Sequence, residues 1–321
     1  MNRRDLGGCL VAALACGLPL AAQPAARIYR IGVLRFGAPN DGWQQGLVDA
    51  LAALGYHEGT NIQSEWRWVD SADTAQRQAT ELAGMKLDLI VASTSPAAVA
   101  LQAARPQAPI VLAGVADAVD AGLVTSLARP GGNITGVSMN LPGVVAKHLQ
   151  LLREVLPGLQ RTGFLGSTED KATPLFVKNA RNAATQLGLS MKPVLITQES
   201  EFASALDAMA RDRVQAVVVQ PLFATSSAPL AAELVRHRLP AISSLPGFAR
   251  SGGLMTYGPN RGDLYKRTAS FVDRVLKGAK ASDLPVEEPT LYDLIVNLKT
   301  AQEIGIAIPP SLRQRADEVI Q

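Results

Sequence analysis

The chain has 321 residues, 47% of them hydrophobic and 18% charged, which is globular composition with material for two core-forming units and not that of a disordered chain. The formal charge of +3, from 31 basic and 28 acidic residues, is small for this length. No Lys/Arg cluster interleaves with the scarce aromatic residues, so the expectation is no nucleic-acid partner.

The first 26 residues differ from the rest. Asn2-Arg3-Arg4 is a short basic start, Leu6 to Ala22 is apolar and small, and Ala21 to Ala26 is a small-residue cleavage zone. Residues 1–26 are therefore read as an export signal peptide, and the expected location is the periplasm. The apolar core falls short of the ~20 residues a spanning helix needs, and Gly17 and Pro19 interrupt it. Arg3-Arg4 before Leu6 also fits twin-arginine export, although adjacent arginines are common in ordinary leaders. Cys9 and Cys16 both lie in this leader, so the mature chain is expected to lack disulfides, thiolate metal sites and cysteine nucleophiles. Cys16 follows Ala13-Leu14-Ala15, an imperfect lipobox, which leaves a lipid-anchored form as the alternative.

After the leader, Ile28 to Phe36 predicts a strand, Gly37 to Gly42 a turn-rich loop, and Trp43, Leu47, Leu51 and Leu54 one helix face. Ile62 to Val69 predicts a strand and Thr74 to Leu82 a helix. Leu87 to Ala92 is a continuous apolar run suited to a strand covered on both faces. Ser95 is placed as the cap of the next helix, with Pro96 at its first position. Pro109 to Gly114 then predicts a strand and Ala118 to Leu127 a helix. Arg129 to Asn140 (Arg-Pro-Gly-Gly-Asn-Ile-Thr-Gly-Val-Ser-Met-Asn) reads as a hinge: Pro130, Gly131 and Gly132 stop the preceding element, and Ile134 to Val137 makes a buried strand. Gly131, Gly132 and Gly136 are expected to serve conformations or close approaches that a side chain would disturb.

The second half repeats this plan. Helices are predicted at Val144 to Leu156, Leu175 to Leu187, Phe202 to Met209 and Pro229 to His237. Strands are predicted at Thr162 to Leu165, Met191 to Ile196, Ala216 to Val219 and Pro240 to Ser243. Gly253 to Asn260 would carry the chain back to the first unit. Leu264, Thr268, Phe271, Val275 and Leu276 would form a helix face packed there. Leu284 to Thr290 is extended, Leu291 to Leu298 is a strand after a third crossing, and Pro309-Pro310 precedes a short Ser311-capped helix. Strict β/α alternation argues for an α/β fold with parallel, doubly wound sheets, and the passages at 129–140, 253–260 and before Leu291 imply two lobes and a cleft. Lobe 1 is assigned residues 27–138 plus 257–288, and lobe 2 residues 139–256 plus 289–321.

Phosphate cradles are missing from this pattern: no G-x-G-x-x-G follows the first strand, and no G-x-x-x-x-G-K-[ST] occurs. His57, His148 and His237 are far apart and there is no G-x-S-x-G, so neither a metal site nor a catalytic residue is expected. What remains is small polar residues at strand ends, where open α/β sheets bind ligands. Ser93, Thr94 and Ser95 open a helix and can cradle a carboxylate, with capping as the plainer role. Asp117 can meet a ligand amine or cap a helix. Ser138 and Asn140 on the hinge, and Tyr257 on the return crossing, can line a cleft or serve turns. Trp43 can stack a ligand or fill the core.

Ala128 to Ser138, Tyr257-Gly-Pro-Asn260, Lys277-Gly-Ala-Lys280 through Thr290, and Leu294 to Ala301 together resemble the substrate-binding proteins of ABC transporters in the tryptophan/tyrosine-type uptake group. The likeness covers nearly all of the mature chain. It implies a type I periplasmic binding fold, two Rossmann-like lobes with parallel sheets joined by a three-crossing hinge, with a small ligand in the cleft, no cofactor, and an ABC permease with its ATPase as partner. It also implies that Ser93, Thr94, Ser95, Asp117 and Ser138 to Asn140 line the cleft. The family often has an Asn-Pro-x-Asn-Pro-like turn where this chain has Gly166-Ser-Thr-Glu-Asp170, which bears on the solute. The expected function is capture of a small ligand, an amino acid or related carboxylate, by a monomer. A free ligand sensor and a two-lobed α/β enzyme are the other readings.

Overall fold

The computed structural model describes residues 27–37, 39, 42–170 and 172–321; the leader, with Cys9 and Cys16, and part of the Gly37–Gly42 loop lie outside them. The first lobe contains β1 (Tyr29–Phe36), α1 (Trp43–Ala52), β2 (Ile62–Val69), α2 (Ala72–Gly84), β3 (Leu89–Ser93), α3 (Ser95–Ala104), β4 (Ile110–Ala116) and β5 (Ile134–Met139). Every residue of β3 is buried, as a strand with helices on both faces requires. The second lobe holds α4 (Leu141–Val155), β6 (Arg161–Ser167), α5 (Thr173–Gln186), β7 (Ser190–Ile196), α6 (Phe202–Arg211) and β8 (Ala216–Val219). It continues with α7 (Ser227–Arg236), β9 (Ala241–Ser243), α8 (Pro246–Arg250) and β10 (Met255–Pro259). The chain then returns for α9 (Arg261–Leu276) and β11 (Val286–Glu287). It crosses once more into β12 (Tyr292–Asn297), α10 (Leu298–Glu303), α11 (Pro310–Arg315) and β13 (Glu318–Ile320).

The strand orders are β11-β5-β4-β3-β1-β2 and β13-β12-β10-β9-β8-β6-β7. All pairings in the first sheet are parallel. In the second, β12 alone runs antiparallel to its neighbour, β10. The reason is its route: β12 starts at the hinge with no helix before it, so it runs away from the hinge where β10 runs toward it, and β13 follows parallel to β12. The chain passes between lobes after β5, after β10 and after β11, and these passages form the three-strand hinge.

Apolar periodicity built the cores. Leu47 and Leu51 of α1 meet Phe271, Val272, Val275 and Leu276 of α9 over the first sheet, so the returning helix does pack on lobe 1. In lobe 2, Val145, Leu149 and Leu152 of α4 pack with Phe176 and Ala180 of α5. Gly131, Gly132 and Gly136 all have positive φ. At Gly136 space is also limiting, because a Cβ would lie 2.3 Å from the Leu112 carbonyl oxygen on the paired strand.

Several elements differ from expectation. Residues 118–127 form turns and not a helix. Their apolar spacing is helical, but Asp117 has φ 30°, and the Ala118 N–H donates to the Ser138 hydroxyl at 2.8 Å, which takes the chain off a helical path. The cap of α3 is Thr94, with Ser95 the first helical residue. The cap of α11 is Pro309 in place of Ser311. Strand β10 keeps residues 255–259 in the second sheet, so the second passage falls after Pro259 and not at Tyr257. The short α8 and β13 were not anticipated.

Candidate ligand-binding site

Open parallel sheets bind ligands beyond the carboxyl ends of their strands, and here the loop after β4 of lobe 1 meets α5, which follows β6 of lobe 2. On the lobe 1 side, two non-glycine residues at adjacent strand ends hold strained backbone: Thr94 after β3, with φ 130° and ψ 155°, and Asp117 after β4, with φ 30°. Such conformations cost about 1–3 kcal/mol each and collect at ligand sites. Thr94 caps α3 without a side-chain hydrogen bond, and its buried Oγ1 has no partner. The start of α3 is thus left without a side-chain cap, and its Ser95 and Ala97 amides, Pro96 having none, lie at the positive end of the helix dipole, which suits an anion.

The flanking hydroxyls hold this geometry. Ser93 Oγ accepts from Arg35 Nη1 at 3.0 Å, Ser95 Oγ from the Ala116 N–H at 2.9 Å, and Ser138 Oγ from the Ala118 N–H. β4 carries an irregularity between Ala113 and Val115, and these bonds fix the loop that follows it. Asp117 Oδ1 accepts from the Asp120 N–H at 3.0 Å. The carboxylate thus shapes its own turn and keeps its other oxygen available.

The hinge adds an acidic corner. Asn140 caps α4, its Oδ1 accepting from Gly143 N–H at 2.9 Å, and its amide lies near Glu288. Burial first, and then the charge of Asp117, raise the Glu288 pKa, while the nearby Asn140 amide opposes them. Tyr257 stacks on Tyr292 with ring centroids 5.4 Å apart and planes at 10°. Burial raises the pKa of both phenols, and the neighbouring Tyr257 and Glu288 add to it at Tyr292. The pair is a neutral aromatic surface at the hinge end of lobe 2.

Trp43 is placed otherwise. It is 4% exposed, edge-on to Trp66 and Tyr265, and Arg35 lies over its ring at 5.0 Å. This tryptophan is a core residue of lobe 1, because α1 turns its first apolar position toward the sheet. Arg35 also lies 5.9 Å from the Trp68 ring, and Trp68 stacks on Trp66.

Lobe 2 contributes a buried network that the sequence did not disclose. Asp170 Oδ1 accepts from the Ala172 N–H at 2.8 Å and Oδ2 from Gln220 Nε2 at 2.7 Å. Gln220 Oε1 accepts from the Ser167 N–H at 2.9 Å and from Thr173 Oγ1 at 3.1 Å. Burial raises the Asp170 pKa against the pull of these bonds. Glu288, Tyr292 and Gln220 escaped sequence reasoning, and Asp170 entered it only as the end of the Gly166–Asp170 segment. For Glu288 a signal existed, a carboxylate on an extended crossing. For Gln220 there was none. Among the described residues, no cluster of three or more His, Asp or Glu is placed to hold a metal ion.

Two α/β lobes, a three-strand hinge and strained polar residues facing one cleft define a solute-binding protein. A family model described as ABC transporter substrate binding protein matches residues 37–320, and the chain belongs to that family. Its work is to capture a small ligand for an ABC transporter, a task carried out outside the cytoplasm. It is 27% identical over 265 residues to a tyrosine-binding protein of Clostridioides difficile (strain R20291), covering 82% of this chain and 76% of the relative. Among solved structures it resembles an ABC domain in complex with L-Trp from Streptococcus pneumonia, with TM-score 0.84 and 28% identity over 91% of this chain and all of that one. It also resembles the ligand-free, open structure of a substrate-binding protein with adhesive properties from Clostridium difficile. There the TM-score is 0.68 and the identity 26%, over 92% of this chain and all of that one. Among the described residues no helix is long and apolar enough to cross a membrane.

Proposed function

We propose that the captured solute is an amino acid with an aromatic side chain, held between the lobes as a zwitterion. The carrying observation is the strained pair Thr94 and Asp117 on adjacent strand ends, one beside an uncapped helix start and the other a carboxylate. The ligand carboxylate takes the α3 amides and the Thr94 hydroxyl; its ammonium takes Asp117, with Glu288 and Asn140 behind. Ser93, Ser95 and Ser138 position these groups. The Tyr257–Tyr292 stack meets the side chain, a role that Trp43, buried in the core, does not share. The tyrosine-binding and L-Trp-bound relatives support the aromatic class. On this reading the protein acts by binding alone, as a periplasmic monomer exported by residues 1–26, and delivers its solute to a permease driven by an ATPase.

A thermal-shift screen of amino acids and their deaminated analogues tests the assignment. Ligand at a hundredfold its Kd adds about 2.7 kcal/mol, a shift of a few degrees for a chain of this size. Tyrosine or tryptophan should raise the Tm, the deaminated acids much less. Asp117→Ala should remove the preference for the amine, and Thr94→Ala should weaken all carboxylates. If no amino acid shifts the transition, or Asp117→Ala binds as wild type does, the pose is wrong.

A further inference from the structure

Two charged residues meet across the cleft without belonging to the ligand pose. Lys178 is on α5 of lobe 2, and Asp120 is on the loop after β4 of lobe 1. Their Nζ and Oδ2 atoms are 2.8 Å apart, with side chains 60% and 39% exposed. The loop is built to present Asp120: its N–H is held by Asp117 Oδ1 at 3.0 Å, and Ser138 secures Ala118 two residues earlier. The chain superposes better on the tryptophan-bound relative than on the open, ligand-free one, with TM-scores of 0.84 and 0.68 at nearly equal identity.

We propose that Lys178 and Asp120 form an ionic latch that sets the resting balance between open and closed lobes. The pair joins parts of the molecule that separate when the cleft opens, so it contributes to the closed state alone and acts whatever solute is bound. A ligand gains only what closure adds beyond that resting balance. Because both side chains are partly exposed, the latch is salt-sensitive: the screening length falls from about 30 Å at 0.01 M to about 3 Å at 1 M ionic strength. An exposed pair of this kind corresponds to roughly a 1.4-fold to fivefold change in the ratio of closed to open molecules.

Small-angle scattering of the ligand-free protein tests this without knowledge of the solute, so failure of the amino-acid assignment leaves the test intact. Wild type should be more compact at low salt than at high salt. Lys178→Gln and Asp120→Asn should be equally expanded at both, with unfolding temperatures close to wild type. The exchanged pair, Lys178→Asp with Asp120→Lys, should restore compactness and salt response. The latch is overturned if the single variants scatter as wild type does at low salt, or if the exchanged pair behaves like the singles.

Discussion

At the residue scale Thr94 and Asp117 hold backbone that a relaxed strand end would not adopt, at a cost, since neither has a glycine's tolerance of positive φ; in the proposed pose that strain shapes the site. His148 shows a different cost. It is 2% exposed, and its Nε2 is 2.7 Å from the Tyr257 carbonyl oxygen. An acceptor there fixes the proton on Nε2 and leaves the buried Nδ1 without a partner. Burial lowers its pKa from 6.5 to about 4, against a smaller upward pull from the Tyr257 bond. The unfolded chain therefore binds this proton at higher pH than the fold does. Stability from this residue is intact above pH 6.5 and is lost as pH falls toward about 4, reaching about 3 kcal/mol. Urea titrations across that range should show the loss, and His148→Gln should flatten it; an unchanged acid limb would mean that other groups govern it.

At the scale of elements, Gly136 is where the hinge is least forgiving. Its φ is 120° and its missing Cβ would meet the backbone of β4. Gly136→Ala must push β5 away from β4, and should cost at least about 2 kcal/mol in chemical denaturation. A variant as stable as wild type would show that this strand pair yields easily. The strands were legible because their apolar runs are short and bounded by glycine and proline; β8, at 216–219, falls where Ala-Val-Val-Val predicts it. Residues 118–127 were misread because Ala118, Val119, Leu123 and Val124 have helical spacing, while the bond that diverts the chain comes from Ser138, distant in sequence. Three-residue β13 has no periodicity to read; it is a strand because β12 offers it an edge.

The two-lobe plan follows from the whole molecule's repeated β/α rhythm and its glycine-marked passages, which local pattern discloses well. The cleft is less legible because it is assembled by crossings. Ser93 to Ser95 and Asp117 are proposed from their places at strand ends, which local pattern discloses, whereas Glu288 comes near Asp117 only through the third passage. Trp43 shows the limit from the other side: a helix start near a strand end can point inward as readily as outward.

All of the chain's tryptophans, Trp43, Trp66 and Trp68, stand in one cluster of lobe 1, with Arg35 over two of the rings and bonded to Ser93 at the cleft. The protein thus carries an optical probe confined to one lobe, with no indole in the other to dilute its signal. Under red-edge excitation, where tyrosine is silent, titration with tyrosine should alter the intensity or wavelength of emission as the guanidinium and its rings readjust. Heat released on binding with no spectral change would mean that the cluster is insulated from the cleft. Where the change does appear, emission follows the first lobe's encounter with solute, and its time course can be set against the closing of the second.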